Sequence, residues 1–382
     1  MSIHVDYTYD LLIVGAGLFG ATFARLATDA GYKCLVIDRR PHTGGNTYCQ
    51  DISGIGVHMY GPHVFHTKSE DVWRFVNKYA TFNRFTLSPI ANYHGQLYNL
   101  PFNMNTFRQM WDATTPQQAM AIIDSQRYHG TPRNLEEQAL ALVGKDIYEQ
   151  LIKGYTEKQW GRSCRNLPPD IIKRLPLRYT FDNNYFDDPY QGIPIDGYNS
   201  FIDKLLQGSE VMTGCDFFDG LANDWRHTAH TLVYTGMIDQ FYQYRYGRLQ
   251  YRSLRFETET LLTPNYQGVA QMNFTDANTP YTRIIEHKHF TSFGQEVYDN
   301  PLTVITREIS QPYTPGAEPY YPINDQTNCS LYAKYKILAD QEPDIIFGGR
   351  LAEYQYYNMD QTIASAMRKW GQYRRQDKRH GI

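Results

Sequence analysis

The sequence lacks the arrangements of cysteine that stabilise small secreted proteins or bind zinc. Its five cysteines are scattered and odd in number, and no two of them form a Cys-x-x-Cys pair. A disulfide framework, a structural zinc site and a disulfide reductase are therefore not predicted. This use of cysteine is typical of a reducing compartment, so we expect a cytoplasmic protein.

A long apolar segment and a charge excess are missing as well. The longest apolar stretch, residues 11–24, is too short and too rich in glycine to cross a bilayer. Residues 1–10 do not have the layout of a signal peptide. Because 37 Lys plus Arg balance 40 Asp plus Glu, the formal net charge is only -3. We therefore expect binding to neither membranes nor nucleic acid.

Motifs for several other kinds of chemistry are also absent. We find neither a Gly-x-Ser-x-Gly nucleophile turn nor a phosphate loop of the Walker type. His58, His63 and His66 are close in sequence, but no Asp, Glu or Cys accompanies them at ligand spacing. We therefore expect no metal site. Tyrosine, in contrast, is abundant, with 32 residues. Its flat ring and hydroxyl suit contacts to sugars and to aromatic ring systems.

The beginning of the chain carries the pattern of a dinucleotide-binding βαβ unit. An apolar run at 11–14 leads into Gly15-Ala-Gly17-Leu-Phe-Gly20, a helical pattern follows, and a second apolar run ends at Asp38. The first glycine permits the turn, the second lets a diphosphate approach the backbone, and the third lets helix pack on strand. Asp38 can accept hydrogen bonds from a ribose.

Two further glycine pairs favour FAD over a nicotinamide cofactor. Arg39, Arg40 and the pair Gly44-Gly45 follow the acidic residue closely, and arginine suits phosphate. Near the other end, Gly348-Gly349-Arg350 follows a predicted strand, and the helix beginning near Met359 can direct its dipole at a flavin. The FAD-binding unit is therefore predicted to be discontinuous in sequence.

The sequence as a whole predicts an α/β fold. We expect a discontinuous Rossmann-type FAD-binding domain, a helical insertion and an antiparallel sheet layer that holds substrate. The domain would comprise residues 1–80, 190–245 and 330–382, the insertion 103–170, and the layer 81–102, 171–189 and 246–329. In the insertion we predict helices over 134–143 and 146–155. Asn134 would cap the first, with Glu137 completing a capping box.

Four blocks combine charged and aromatic residues in a way that is unusual for a core. They cover residues 155–160, 173–185, 281–289 and 318–322. Two arginines far apart in sequence, such as Arg174 and Arg283, could clamp a diphosphate with bidentate hydrogen bonds. For an arginine chosen at random, solvent exposure or a structural ion pair is the better explanation.

Five longer segments resemble bacterial UDP-galactopyranose mutase. They are residues 100–107, 152–161, 181–185, 273–278 and 347–354, and the resemblance extends from about residue 9 to 364. It implies an isomerase that interconverts UDP-galactopyranose and UDP-galactofuranose without net oxidation and that supplies cell-surface polysaccharide synthesis. In this family N5 of reduced FAD attacks the anomeric carbon, while two arginines hold the UDP that leaves. A homodimer is also implied.

The resemblance assigns roles to individual residues. The implied catalytic residues are Arg174, Arg283 and His63. The implied substrate contacts are Tyr155, Thr156, Trp160, Arg174, Tyr185, Asn273, Arg283, Tyr321 and Tyr356. The implied cofactor contacts are Gly15, Gly17, Phe19, Gly20, Asp38, Arg39, Gly45, Asn46, His63, Val64, Arg350, Met359, Asp360, Gln361, Thr362, Ile363 and Ala364. The segment around Trp160 is expected to act as a mobile lid.

Two departures and two alternatives accompany this interpretation. The family often has Asn where this chain has Leu87, and Asp where it has Asn358, so a polar substrate contact and a charge near the flavin are in doubt. The glycine signatures alone would also fit an FAD-dependent oxidoreductase of the amine-oxidase type. A third hypothesis is an FAD-binding redox sensor without catalytic activity.

Overall fold

The computed structural model describes residues 8–172 and 177–377. Its strands are β1 (Tyr9–Val14), β2 (Cys34–Asp38), β3 (Cys49–Ile52), β4 (Ile55–His58), β5 (Phe65–Thr67), β6 (Ile90–Tyr93), β7 (Gln96–Asn99), β8 (Tyr190–Gly192), β9 (Glu210–Thr213), β10 (Ala229–Tyr234), β11 (Tyr251–Leu261), β12 (Gln271–Phe274), β13 (Arg283–Glu286), β14 (Thr303–Pro312), β15 (Tyr321–Pro322) and β16 (Ile345–Phe347).

The helices alternate with these strands and also form a separate group between β7 and β8. They are α1 (Leu18–Asp29), α2 (Glu70–Val76), α3 (Met104–Trp111), α4 (Pro116–Gln126), α5 (Leu135–Ile147), α6 (Gly154–Trp160), α7 (Gly197–Leu206), α8 (Leu221–Thr228), α9 (Ile238–Phe241), α10 (Gln326–Ala339), α11 (Gly349–Ala352) and α12 (Met359–Gln376). A π-helical turn, Tyr148–Lys153, joins α5 to α6. Across the described ranges, no helix has the length and apolar character needed to span a membrane.

Five parallel strands form the first sheet, in the order β16-β10-β1-β2-β9. The register places Leu12 of β1 opposite Leu232 of β10 and Leu35 of β2. Successive side chains of β1 enter different apolar cores, with Leu11 and Ile13 on one face and Leu12 on the other. Because both faces are covered, the strand reads as a continuous apolar run in the sequence.

Helices from the two ends of the chain pack together on one face of this sheet. The ring of Trp370 in α12 lies 5.5 Å from that of Phe23 in α1 and 5.2 Å from that of Tyr32, nearly perpendicular to both. Edge-to-face contacts of this kind are favourable between aromatic rings. The N-terminal and C-terminal segments therefore share one core, and the predicted α/β fold with a Rossmann-type unit is confirmed.

Seven strands form the second sheet, in the order β15-β11-β14-β13-β12-β6-β7. Most neighbours are antiparallel, and the long ladder of β11 with β14 begins where Arg252 faces Pro312. β12 and β6 are parallel, with Asn273 opposite Ala91. The predicted antiparallel layer is therefore a mixed sheet, because its β12–β6 pair is parallel. The hairpin of β6 and β7 joins the sheet at the edge of β12.

Helices α3 to α6 surround a separate apolar core that contains Phe107, Ile123 and Ile147. The predicted N-cap of α5 is confirmed, since the Asn134 side chain accepts a hydrogen bond from the Glu137 N–H at 2.9 Å. The predicted capping box is wrong. The Glu137 carboxylate instead accepts from the N–H of the residue before the cap, Arg133, at 2.8 Å.

The predicted gap between two helices in this region corresponds to a kink at Gly144. This residue has φ +77° within α5, a conformation that glycine adopts without steric cost. The second predicted helix was expected to end at 155, but the helical segment continues through Trp160. The whole charged and aromatic block at 155–160 therefore lies within the helix α6.

The central position of β1 predicts a large stability effect for Ile13→Ala. Ile13 is fully buried between α1 and the sheet, so truncation should lower the free energy of unfolding by about 2–5 kcal/mol. Met212 in the edge strand β9 is 46% exposed, and Met212→Ala should cost less than about 1 kcal/mol. Chemical denaturation measures both values, and equal losses would contradict the layer arrangement.

Candidate active site

The glycine loop after β1 has a conformation that requires glycine at several points. Gly15 has φ +106°, and a Cβ on it would collide with Oγ1 of Thr235. Gly45 has φ +55°, and its Cβ would lie 2.9 Å from Cα of Gly17. The two predicted glycine motifs therefore touch each other. They form one narrow backbone cradle at the beginning of α1.

The N-terminus of α1 supplies this cradle with hydrogen-bond donors. Gly17 is the N-cap and makes no side-chain cap hydrogen bond, so the first N–H groups of the helix are available to a ligand. Free donors and the helix dipole together favour a diphosphate. The backbone around Gly17 and Gly45 therefore fits the diphosphate of FAD.

Asp38 fastens the cradle to the end of β2. Its Oδ2 accepts from the Ala16 N–H at 2.8 Å and its Oδ1 from the Arg40 N–H at 2.9 Å. Each carboxylate oxygen can accept a second hydrogen bond, so the predicted role toward a ribose is compatible with this structural role. The sequence motif suggested only the ribose contact.

A single cleft runs from this cradle along the carboxyl ends of the parallel strands. Of the predicted cofactor residues, it is lined by Gly15, Gly17, Phe19, Asp38, Arg39, Gly45, Asn46, His63, Arg350, Met359 and Thr362. The structure therefore brings together residues from both ends of the chain.

The other predicted cofactor residues lie beside the cleft, with their side chains engaged elsewhere. Val64 and Ile363 are buried in the core under the sheet, and Ala364 packs against it. The Asp360 carboxylate accepts a hydrogen bond from the Thr67 hydroxyl at 3.0 Å. The Gln361 side chain accepts one from the N–H of Asn358, the N-cap of α12, at 2.9 Å. A Cβ on Gly20 would strike the Gly15 carbonyl. Oδ1 of Asp360 has no hydrogen-bond partner among the described residues.

The cleft is also lined by residues that the sequence did not single out. They include Thr47, Cys215, Asp216, Phe217, Phe218, Tyr234, Thr235, Met237, Gln240 and Tyr357. In the sequence, an apolar strand that ends at Gly236 was the one pattern that pointed to part of this set, at Tyr234 and Thr235. The rest come from loops that approach the cleft only in the folded chain.

Glu318 binds both arginines that the sequence assigned to phosphate. Its Oε2 lies 2.6 Å from Arg39 and 2.9 Å from Arg40. Burial would raise the pKa of Glu318, but the neighbouring Arg40 and Arg39 lower it below its usual value. In this structure one nitrogen of each guanidinium group is therefore engaged by a carboxylate, and the expected contacts to cofactor phosphate stay a prediction.

His63 belongs to a chain of hydrogen bonds between buried histidines. Its Nδ1 lies 2.8 Å from the Gly61 carbonyl oxygen, and its backbone N–H donates to Nδ1 of His58 at 3.1 Å. The His58 N–H in turn donates to Nδ1 of His287 at 3.2 Å, and His287 Nε2 lies 2.8 Å from Oγ1 of Thr306. Because carbonyl oxygens only accept, His63 carries its proton on Nδ1 and leaves Nε2 as an acceptor.

His58, His63 and His287 are uncharged at neutral pH. Burial lowers the pKa of His63 to about 4, and the positive charges of Arg350 and Arg283 act in the same direction. Burial also lowers the pKa of His287 to about 3 and that of His58 well below its usual value. The described part of the chain contains no group of three or more His, Cys, Asp or Glu placed to hold a metal ion.

Three polar residues form a row across the second sheet. The register places Arg283 of β13 opposite Asn273 of β12 on one side and Glu308 of β14 on the other. Directly opposed residues project from the same face of a sheet. Asn273 and Glu308 are buried. The Gln271 side chain donates to Oδ1 of Asn273 at 2.9 Å, which leaves the Asn273 amide N–H groups free to donate.

Arg283 is a largely buried cation with unused hydrogen-bonding capacity. Its guanidinium lies 2.7 Å from Oε2 of Glu308, and its Nε has no partner among the described residues. Burial would lower the pKa of Arg283, but the carboxylate of Glu308 outweighs this effect and raises it. The charge is therefore permanent and faces a site that can accept an anion.

Tyrosines surround this cation and connect it to the cofactor cleft. The rings of Tyr321 and Tyr356 lie 5.1 Å apart, and the Arg350 guanidinium lies 5.6 Å and 5.2 Å from their centroids. Burial raises the pKa of Tyr155 and of Tyr185, while the nearby charge of Arg283 opposes part of each increase. Both phenols are therefore protonated and able to donate at neutral pH.

The remaining predicted substrate residues are placed by α6. Tyr155, Thr156 and Trp160 occupy this helix, and Trp160 packs against the core of the helical insertion. Arg174 lies outside the described residues. The structure thus brings Tyr155, Tyr185, Asn273, Arg283, Tyr321 and Tyr356 to one region next to His63 and Arg350.

The comparisons with known proteins agree with this geometry. Residues 150–356 match the family model for UDP-galactopyranose mutase, and residues 13–79 match that for an NAD(P)-binding Rossmann-like domain. A probable UDP-galactopyranose mutase of Klebsiella pneumoniae is 40% identical over 366 residues, covering 94% of this chain and 93% of that protein. The chain belongs to the UDP-galactopyranose mutase family.

Membership of the family establishes an isomerase that uses FAD. A dTDP-fucopyranose mutase of Escherichia coli is also 40% identical, over 94% of this chain and 96% of that protein. A crystal structure of reduced UDP-galactopyranose mutase superposes with a TM-score of 0.73 at 15% identity, covering 98% of this chain and 97% of that one. The fold is therefore that of the UDP-galactopyranose mutase family.

The alternative functions are not favoured by these matches. The mutase family model covers the segment that carries α6, Asn273, Arg283 and Tyr321, whereas the glycine loop lies in the separate Rossmann-like match. Two oxidoreductases of Pseudomonas, a nicotine dehydrogenase and a pseudooxynicotine dehydrogenase, each align with only 19% of this chain. A sensor without activity is not favoured either, because the family consists of isomerases.

The two departures from the UDP-galactopyranose mutase pattern have different structural settings. Leu87 is buried in the core, and its carbonyl oxygen accepts from the N–H of Tyr185 at 2.7 Å. Asn358 is the N-cap of α12, and its N–H donates to the Gln361 side chain at 2.9 Å. Leu87 therefore adjoins a predicted substrate residue, while Asn358 begins the helix nearest the flavin.

The position of Asp38 predicts that Asp38→Ala weakens FAD binding. Two backbone N–H groups would lose their acceptor, at a cost of about 1–3 kcal/mol in the stability of the glycine loop. The FAD dissociation constant should rise by about tenfold or more, measured by titrating apoprotein with FAD. Asp51, an exposed acceptor of the Gly54 N–H at 3.1 Å, provides the control. If Asp51→Ala weakens FAD binding equally, the cradle assignment is wrong.

Proposed function

We propose that the protein interconverts UDP-galactopyranose and UDP-galactofuranose without net oxidation. The observation that carries this proposal is the buried cation Arg283, whose Nε has no partner among the described residues and which lies near tyrosines and near His63 of the cofactor cleft. A nucleoside diphosphate sugar supplies the anion, the ring and the hydroxyl groups that such a site can bind.

The diphosphate would bind to the arginines. The free Nε of Arg283 can donate to phosphate oxygens while Glu308 holds the other side of the guanidinium in place. By the family resemblance, Arg174 would contribute the second cation. Tyr321 and Tyr356 lie beside Arg350 and would donate their hydroxyl protons to the same oxygens. Their neutral phenols add donors without adding charge.

The rest of the nucleotide would lie between α6 and Tyr185. Tyr155, Thr156 and Trp160 offer an aromatic and polar surface for uracil and ribose, as aromatic rings commonly do. Asn273, with its amide N–H groups left free by Gln271, would bind hydroxyl groups of the sugar. These contacts bring the anomeric carbon towards the cleft near His63.

When bound and reduced, FAD supplies a nucleophilic nitrogen, N5, that takes the place of UDP on the anomeric carbon. The protein side chains would bind the sugar and the departing diphosphate around this nitrogen. Arg283 would stabilise the charge that develops on the departing diphosphate and keep it close, so that it can return to the same carbon after the ring has contracted. His63 is uncharged and presents Nε2 as an acceptor.

The identity of the nucleotide sugar has a second candidate. The relative named dTDP-fucopyranose mutase is as similar as the relative named for UDP-galactopyranose, at 40% identity each. Leu87 also places an apolar side chain next to Tyr185, where the family often has Asn. An apolar residue suits a deoxy sugar at least as well as a fully hydroxylated one, so dTDP-fucopyranose should be tested as well.

A homodimer and a cytoplasmic location also belong to the proposal. The homodimer follows from the family resemblance, and the cytoplasmic location from the cysteine pattern of the chain. Light scattering would distinguish a dimer from a monomer of 44.5 kDa.

The activity test uses FAD-loaded protein reduced by dithionite under anaerobic conditions. We expect a furanose product from UDP-galactopyranose, detected by chromatography, with many turnovers per flavin and no consumption of reductant. Protein with oxidised FAD should be inactive. A parallel reaction with dTDP-fucopyranose ranks the two candidates by kcat/KM. A requirement for oxygen, or for one equivalent of reductant per product, would exclude the proposed isomerisation.

Arg283→Ala tests the diphosphate assignment. Removing this partner of a buried charge pair should weaken UDP binding about 30-fold or more, measured by isothermal titration calorimetry on FAD-loaded protein. Arg307 is the control, because it pairs with Glu259 at 2.9 Å and aligns with Ile284, so it faces the other side of the sheet. Near-normal UDP affinity in Arg283→Ala, with FAD content unchanged, would refute this role.

A further inference from the structure

Helix α6 lies against the turn that joins β12 to β13, residues 275–282. Asn273 lies near the end of β12, just before this turn, and Arg283 begins β13, just after it. Helix α6 carries Tyr155 and Trp160. The two groups of proposed substrate residues are thus borne by elements that touch each other. Their spacing depends on what holds the helix to the turn.

Lys158 in α6 binds the turn through three backbone carbonyl groups. Its Nζ donates to the carbonyl oxygens of Phe274 at 2.8 Å, Thr279 at 3.1 Å and Tyr281 at 3.1 Å. An ammonium group has three N–H donors, and all three are used here. Lys158 therefore binds the last residue of β12, just before the turn, and two residues within the turn.

The position of Lys158 is only partly exposed, and its charge is retained. Burial lowers the pKa of Lys158 to about 8, while the carboxylate of Asp276 partly opposes this effect. The Asp276 carboxylate is itself occupied by the N–H groups of Asn278 and Thr279, at 2.9 Å and 2.8 Å. The ammonium group therefore acts mainly on carbonyl oxygens and not as one half of a direct ion pair.

Close packing at the first residue of α6 supports the same contact. A Cβ on Gly154 would lie 2.9 Å from the backbone N of Ala277 and would collide with the Thr275 carbonyl. Glycine is needed here because the helix backbone touches the backbone of the turn. Steric contact at Gly154 and hydrogen bonds at Lys158 are one helical turn apart on the same side of α6.

The C-terminal end of α6 is fastened to different strands. The Gln159 carbonyl accepts from Nε of Arg252 at 3.0 Å and from Oγ of Ser310 at 2.6 Å. Arg252 lies on β11 and Ser310 on β14. They project from the same face of the ladder, because Leu254, two residues after Arg252, is directly opposite Ser310. The helix is therefore attached to the second sheet at both ends. This part of the predicted lid is bound to the sheet in the described structure.

We infer that Lys158 is a positioning residue that sets the distance between the substrate groups of α6 and those of the β12–β13 turn. It touches neither the proposed substrate nor the flavin, and it acts through Tyr155 and Trp160 on one side and through Asn273 and Arg283 on the other. This inference rests on the proposed function, because it assigns both groups to one nucleotide sugar.

Three variants of the FAD-loaded, full-length protein test this inference. Lys158→Met keeps the aliphatic chain and removes all three donors, and Lys158→Arg keeps a charge and several donors. Lys153→Met is the matched control, since Lys153 lies five residues earlier and, within the described part of the chain, forms its ion pair with the exposed Glu149, at 3.1 Å. UDP affinity is measured by calorimetry, and kcat and KM by the anaerobic assay.

We expect Lys158→Met to bind UDP about tenfold more weakly and to raise KM more than it lowers kcat. Lys158→Arg should recover part of this loss, and Lys153→Met should match the unaltered protein. Hydrogen–deuterium exchange should become faster in residues 154–160 and 275–282 of Lys158→Met, while exchange around the glycine loop stays the same.

The outcomes separate this inference from the proposed function. If the unaltered protein does not bind UDP, the proposed function fails, and the exchange data still report whether Lys158 holds α6 to the turn. If the unaltered protein binds UDP and Lys158→Met binds it equally well, the positioning role is wrong. The same conclusion follows if Lys158→Met loses FAD or unfolds while Lys158→Arg shows no recovery of UDP affinity.

Discussion

The candidate site depends on the burial of one positive charge, that of Arg283. A buried cation is tolerated only when a partner offsets the loss of hydration, and Glu308 does so from the adjacent strand at 2.7 Å. The register of β13 with β14 places the two residues opposite each other. Since this pair leaves Nε free, the sheet presents a fixed donor to an anion. The surrounding tyrosines add neutral donors to the same site, beside the charge of Arg350.

The segment from β4 to β5 connects this site to the cofactor cleft. His58 and His63 lie in the segment, and their hydrogen bonds lead to His287 and Thr306 of the second sheet. Each Nδ1 that accepts a backbone N–H must be unprotonated, and burial keeps these rings neutral. The turn at His63 is thereby held between a cleft formed by parallel strands and a row of polar residues on a mixed sheet.

Family membership and substrate choice are different questions for this chain. The mutase fold, the glycine cradle and the row around Arg283 are features that explain an FAD-dependent isomerase. Relatives named for two different nucleotide sugars are equally similar, so family membership does not fix the sugar. Leu87, whose carbonyl oxygen accepts from the N–H of Tyr185, is the position where we propose an influence on the choice of sugar. The attachment of α6 through Lys158 adds a second influence, because it sets the geometry of the whole nucleotide site.

The sequence by itself determined the βαβ unit, because its apolar runs, its glycines and Asp38 are neighbours along the chain. It also indicated the α/β class, the FAD site and, through longer segments, the family. Tertiary structure alone decided that Glu318 binds Arg39 and Arg40, that Glu308 pairs with Arg283, and that Lys158 binds a turn more than a hundred residues away. Such contacts depend on strand register and loop approach, which no local pattern encodes. The end of the second helix of the insertion and the capping box of α5 were mispredicted for a related reason: a π-helical turn and a competing hydrogen bond from Arg133 depend on their surroundings.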